Sequence, residues 1–174
     1  MPDLKSIPDE VKWRLAAKLA ALMPALYDSA YRGVVGEKYE EIEREIWMEL
    51  SRMALEIVRD LSLPTSNAIE LANSMRIVMG ILFGPDYKSE TLEVSRGGAV
   101  VLVKRCPLPA SSYESGAGDT STFHKCMAFT LTTIPFLNKG YSARFVRTMC
   151  TGDRQCELKI EEVKQPDNEE HKKK

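Results

Sequence analysis

The sequence predicts an α+β fold, in which N-terminal helices precede a small antiparallel sheet of two hairpins with a crossing helix. Three observations carry this. Residues 8 to about 84 keep apolar side chains at spacings of three and four. From about Glu90 the period shortens to two, and Arg96-Gly97-Gly98 supplies a hairpin turn. After one more helical stretch, residues 141–149 and 156–163 form a second pair of strand-like runs. Residues 1–84 are then a helical region, residues 85–163 a Cys-rich α+β region packed with it as one domain, and residues 164–174 a disordered charged tail.

Each element has a local cause. Pro8 suits a first helical position, with Asp9 and Glu10 favourable in the first turn. Val11, Leu15, Leu19, Leu22 and Leu26 form the stripe of the first helix, Pro24 bends it or marks its last turn, and Gly33 and Gly36 break it. The second helix, Glu37 to Leu61, carries Tyr39, Ile42, Ile46, Leu50, Met53 and Ile57 on one stripe. Pro64 stops the chain and Thr65 or Ser66 caps the third helix, which ends near Gly84-Pro85. Ala99 to Arg105 pairs back on Glu90 to Ser95 and finishes at Cys106, where Pro107 and Pro109 end it. A Ser/Gly-rich loop follows, then a helix from about Thr122 to Thr133, closed by Pro135 and Gly140. The next strand has an ambiguous face, because Arg147 interrupts the apolar side of Tyr141, Ala143, Phe145 and Met149.

A net charge of −1 gives no electrostatic reason to expect nucleic acid or an anionic membrane. No apolar run reaches the roughly 18 residues of a membrane span, and the polar, acidic N-terminus lacks the layout of a secretion signal. The expected location is the cytoplasm. There structural disulfides are disfavoured, and cysteines turn toward metal binding, redox switching or catalysis.

All four cysteines and one of the two histidines fall between residues 106 and 156, in the pattern C-x17-H-x-C-x23-C-x5-C. Soft ligands gathered in this way suit zinc or an iron–sulfur cluster, with Cys106, Cys126, Cys150, Cys156 and His124 as the ligand set. Cys150 and Cys156 stand at the two ends of a hairpin loop, near enough to share a metal or form a disulfide. His124 and Cys126 lie two apart, about 200° around a regular helix, so only extended backbone would aim both at one ion. The remaining reading is that small buried cysteines simply fill the core. Asp153, like His124, is a candidate acid/base, or an acceptor that orients a metal ligand, although Gly-Asp at such a place ordinarily makes a turn.

The segment Cys150-Thr151-Gly152-Asp153-Arg154-Gln155-Cys156-Glu157-Leu158 resembles the closing C-x-G-D-x-x-C-x-hydrophobic signature of two related groups. These are the 4-vinyl reductase domain family and the family of L-2-amino-thiazoline-4-carboxylic acid hydrolases. Cys106 at a strand end and Gly36-Glu37-Lys38-Tyr39 in the helical half fit the same layout. The first resemblance implies a sensory α+β module that binds a small molecule, a metal or both at the cysteines. The second implies opening of a cyclic amidine ring, with His124 or Asp153 as acid/base. A thiol switch at Cys150 and Cys156 is a third expectation. The first two helices either cover the sheet or serve as a homodimerisation arm.

Overall fold

The computed structural model describes residues 3–95, 97–114 and 119–163. Its order is α1 (Asp9–Val35), α2 (Lys38–Asp60), α3 (Ala68–Phe83), β1 (Lys88–Ser95), β2 (Gly98–Arg105), α4 (Pro107–Glu114), α5 (Asp119–Leu137), β3 (Tyr141–Arg147) and β4 (Cys156–Glu162). The predicted α+β class and the two hairpins are present. The charged tail lies outside the described residues.

Helix α1 runs unbroken through Pro24 and stops only at Gly36, whose φ of 69° favours glycine. The cap of α3 falls at Asn67 rather than Thr65 or Ser66. The Asn67 side chain accepts from the Glu70 N–H at 2.9 Å, and the Glu70 carboxylate reaches back to the Ser66 N–H at 2.7 Å. Where a Ser/Gly-rich loop was expected after Cys106, residues 107–114 form α4, because Pro107 serves as a helix start. Residues 115–118 of that stretch lie outside the described residues. Helix α5 likewise continues through Pro135 to Leu137.

The four strands are antiparallel in the order β1-β2-β4-β3. Ala99 opposes Ile160, Val101 opposes Leu158 and Val103 opposes Cys156, so these six share the inward face. A register shift between Phe145 and Arg147 sets Arg147 opposite Glu157, which removes the ambiguity of β3. Tyr141, Ala143 and Phe145 then pack on the core. Helix α3 lies across β1 and β2, while α5 packs between α2 and β3.

The helical faces are the main departure from the expected pattern. The core side of α1 is Ala17, Ala21, Ala25 and Asp28, and that of α2 is Tyr39, Glu43, Trp47, Ser51, Ala54 and Val58. The larger aliphatic stripes, including Leu15, Leu19, Ile42, Ile46 and Met53, face outward. Small side chains let α1 come close: a Cβ added at Gly84 would collide with the Ala17 Cβ.

Candidate functional site

The strand register decides which cysteines meet. Cys156 opens β4 on the inward face, Cys106 follows the end of β2, and Cys126 lies on α5. All three line one enclosed cavity of about 30 Å³, with Met75, Met79 and Phe145 among its other walls. Cys150, in the 3-10 turn Met149–Thr151, lies close enough to interact electrostatically with Cys106 and Cys126. The clustering read from the spacing is thus present in space. Its chemistry differs from the expectation.

All four cysteines are free thiols, so Cys150 and Cys156 are not bridged. Among the described residues, no group of three or more His, Cys, Asp or Glu side chains is arranged to hold a metal ion. This corrects the zinc and iron–sulfur reading: Cys106, Cys126 and Cys156 are wall residues of an apolar void. His124 is not with them. It is exposed on α5 and lines a separate surface groove with Glu37, Glu40, Glu41 and Arg44 of the α2 end. Asp153 closes the turn before β4, its Oδ2 accepting from the Thr148 N–H at 2.9 Å.

The thiols are held neutral. Burial pushes Cys106 well above the ordinary cysteine range and the Cys126 thiol adds to this, against a hydrogen bond donated by the Leu108 N–H. Burial, then the Cys156 thiol, pushes Cys126 up to about 12, although its sulfur is 3.9 Å from Thr130 Oγ1. Cys156 is also raised by burial, against the Met149 N–H donating to its Sγ at 3.3 Å. Neutral thiols among methionines and aromatics are soft, apolar wall groups and poor nucleophiles.

Cys106 has a second exposure. Besides the cavity, it lines a surface groove of about 280 Å³ whose rim carries Arg14, Lys18 and Arg105. The groove and the cavity thus meet at this one residue.

Two features had no place in the sequence reading. One is an open apolar groove of about 520 Å³ between α1 and α2, walled by Met23, Tyr27, Ile42, Ile46, Leu50 and Met53. The other is a buried ion network under its polar end. Lys125 Nζ, on α5, lies 3.2 Å from Asp28 Oδ2 and 3.0 Å from Glu43 Oε1. Ser121 Oγ and Arg32 Nε also donate to Asp28, the latter at 2.6 Å, and the Tyr39 hydroxyl donates to Glu43 at 3.1 Å. Burial alone would raise Asp28, but these donors together hold its carboxyl below the usual aspartate value. The available signal was the spacing Ala17-Ala21-Ala25-Asp28, which places an acid on the small-residue face of α1.

No family model matches the chain, and no curated protein matches it. Among solved structures, it is similar to a trafficking protein particle complex subunit 3 from Naegleria fowleri covalently bound to palmitic acid. Sequence identity is 11% and the TM-score 0.52, over 88% of this chain and 96% of that one. At that identity the likeness shows the fold alone. That neighbour gives the 4-vinyl reductase resemblance no support, and the zinc and iron–sulfur expectation does not carry over, since no metal-holding group forms among the described residues. Among the described residues, no helix is long and apolar enough to cross a membrane.

Proposed function

We propose that this chain is a small-molecule-binding domain whose ligand carries a hydrocarbon chain and enters past Cys106. The observation that carries the reading is the double position of Cys106, on both the outer groove and the enclosed thiol-lined cavity. The chemistry of the walls agrees with it. Met75, Met79, Phe145 and neutral thiols offer an apolar, polarizable surface without a fixed charge. The cavity as it stands is about the size of one water. An entering chain therefore displaces the Met75 and Met79 side chains, whose unbranched stems are the most adaptable in the wall. The similar trafficking subunit carries palmitic acid, a ligand of this class. Neutral thiols favour non-covalent capture here.

Stripped of lipid, the protein should bind a series of saturated fatty acids, followed by native mass spectrometry or calorimetry. Affinity should rise about fourfold per added methylene while the chain stays inside, since each buried methylene contributes about 0.8 kcal/mol. Cys106→Phe should block entry. Affinity independent of chain length, or full binding by Cys106→Phe, would sink this reading.

A second observation concerns assembly. The outward stripes of α1 and α2 flank the 520 Å³ groove, and Leu15, Leu19 and Ile46 are each more than half exposed. Apolar surface of this extent marks an interaction site. We infer that a second copy of the chain covers it, in a two-fold pairing of like faces. Sedimentation should show a dimer that Ile46→Glu converts to a folded monomer; a monomeric wild type at tens of micromolar would refute the pairing.

A further inference from the structure

We propose that the groove outside Cys106 is an anion-binding site that holds the carboxylate or phosphate head of the chain ligand. The inference rests on the binding reading above and specifies the other end of that molecule. Three cations from two elements meet at this groove: Arg14 and Lys18 from α1, and Arg105 from the last position of β2. They face two carboxylates, Asp86 and Glu114. Among the described residues, the one ion pair any of them makes is loose, Arg105 Nη2 to Asp86 Oδ1 at 3.9 Å. Among the described residues, Arg14 and Lys18 make no ion pair.

Arg14 and Lys18 stand one helical turn apart on the same face of α1, where like charges repel. An anion between them relieves that repulsion. The backbone adds to the same field. Cys106 immediately precedes α4, so the positive end of that helix opens toward the groove, and the Leu108 N–H already points at the Cys106 sulfur. The floor beneath is apolar, formed by Ala21, Phe83 and Pro85. A molecule lying here therefore meets cations at its outer end, crosses an apolar floor, and reaches the thiol cavity with its chain. A cationic head is repelled, and a neutral head gains nothing from the exposed Arg14 and Lys18.

The test uses the full delipidated chain and three probes of equal chain length: hexadecanoate, hexadecyl phosphate and hexadecanol, each below its aggregation limit. The expected result is that one or both anions bind about tenfold tighter than the alcohol at low salt, the sum of a few screened contacts. That advantage should shrink at high salt. It should also disappear in the double variant R14A/K18A, which keeps its affinity for hexadecanol. Preference for one anion identifies the head as carboxylate or phosphate. Equal binding of alcohol and anions, or an advantage retained by R14A/K18A, overturns the head-group site and leaves the chain-binding reading standing. Absence of binding by all three probes overturns both.

Discussion

Replacement of Lys125 by Met tests the buried ion network directly. Lys125 is 3% exposed and Asp28 1%, so water cannot take over the lost charge. In the wild type Arg32 and Lys125 face Asp28 and Glu43, and the exposed Glu40 also pairs with Arg32 at 2.9 Å. Removing Lys125 leaves Asp28 with Arg32 and Ser121, but leaves Glu43 with only hydroxyl donors, Tyr39 at 3.1 Å and Ser121 at 3.4 Å. An unpaired buried carboxylate of this kind costs about 3–5 kcal/mol. For a chain of this size that lowers the melting temperature by about 6–20 °C. Urea unfolding followed by circular dichroism gives the free energy, and a pH series gives the cause. In the wild type, the depressed Asp28 contributes stability above the ordinary aspartate pKa and loses it as pH falls through the folded value. Lys125→Met removes one of the groups that depress Asp28, so the variant has less of this contribution to lose as pH falls. The two curves should converge on the acid side, and adding Glu43→Gln should restore part of the loss at pH 7. A loss under about 1 kcal/mol, or a deficit independent of pH, would refute the idea that Lys125 holds the buried carboxylates in place.

Two further predictions follow from the same coordinates. Gly84→Ala combines a glycine-only backbone (φ 80°, ψ −173°) with a collision against the Ala17 Cβ, and should cost about 2–4 kcal/mol; a companion Ala17→Gly should recover the steric share alone, and a near-neutral result would mean that α1 does not approach α3 this closely. Because Cys126 is pushed up to about 12, folding should withhold its ionisation, so stability is full below the unfolded thiol pKa and falls as pH rises through the range 9 to 12; iodoacetamide labelling of Cys126 at pH 8 should accordingly be far slower in the folded than in the urea-unfolded protein, and equal rates would refute the burial.

Period and punctuation made the elements readable. The switch from helical spacing to alternation near Glu90 and the Gly97-Gly98 turn located the first hairpin, and β1 and β2 lie there. Proline departs from its role as a stop at two places, for different reasons. Pro107 stands at the first position of α4, where its missing N–H costs nothing, whereas Pro135 lies in the last turn of α5, which ends two residues later at Leu137. Helix orientation was harder. A stripe of Leu and Ile predicts a buried face only if a single partner is available, and in α1 and α2 the sheet-side neighbours demand close approach, which Ala17, Ala21, Ala25, Ser51 and Ala54 permit and leucine does not. The surplus aliphatic stripe is then left for a second surface.

The cysteine cluster shows where spacing runs out. Sequence separation and strand register together fix that Cys106, Cys126 and Cys156 converge, because the end of β2, the start of β4 and one face of α5 meet at the same corner of the sheet. The 200° between His124 and Cys126 likewise separates them, and α5 sends the histidine to the acidic surface and the cysteine inward. What spacing does not encode is the company the thiols keep. Here the walls come from Met75, Met79, Phe145 and Val103, residues far apart in the chain, and burial among them raises the Cys106 thiol. In the proposed reading the thiol-lined cavity takes the hydrocarbon, and Arg14 and Lys18, which line the groove outside it, take its charge. The division of polarity across Cys106, more than the number of cysteines, is the feature on which that reading rests.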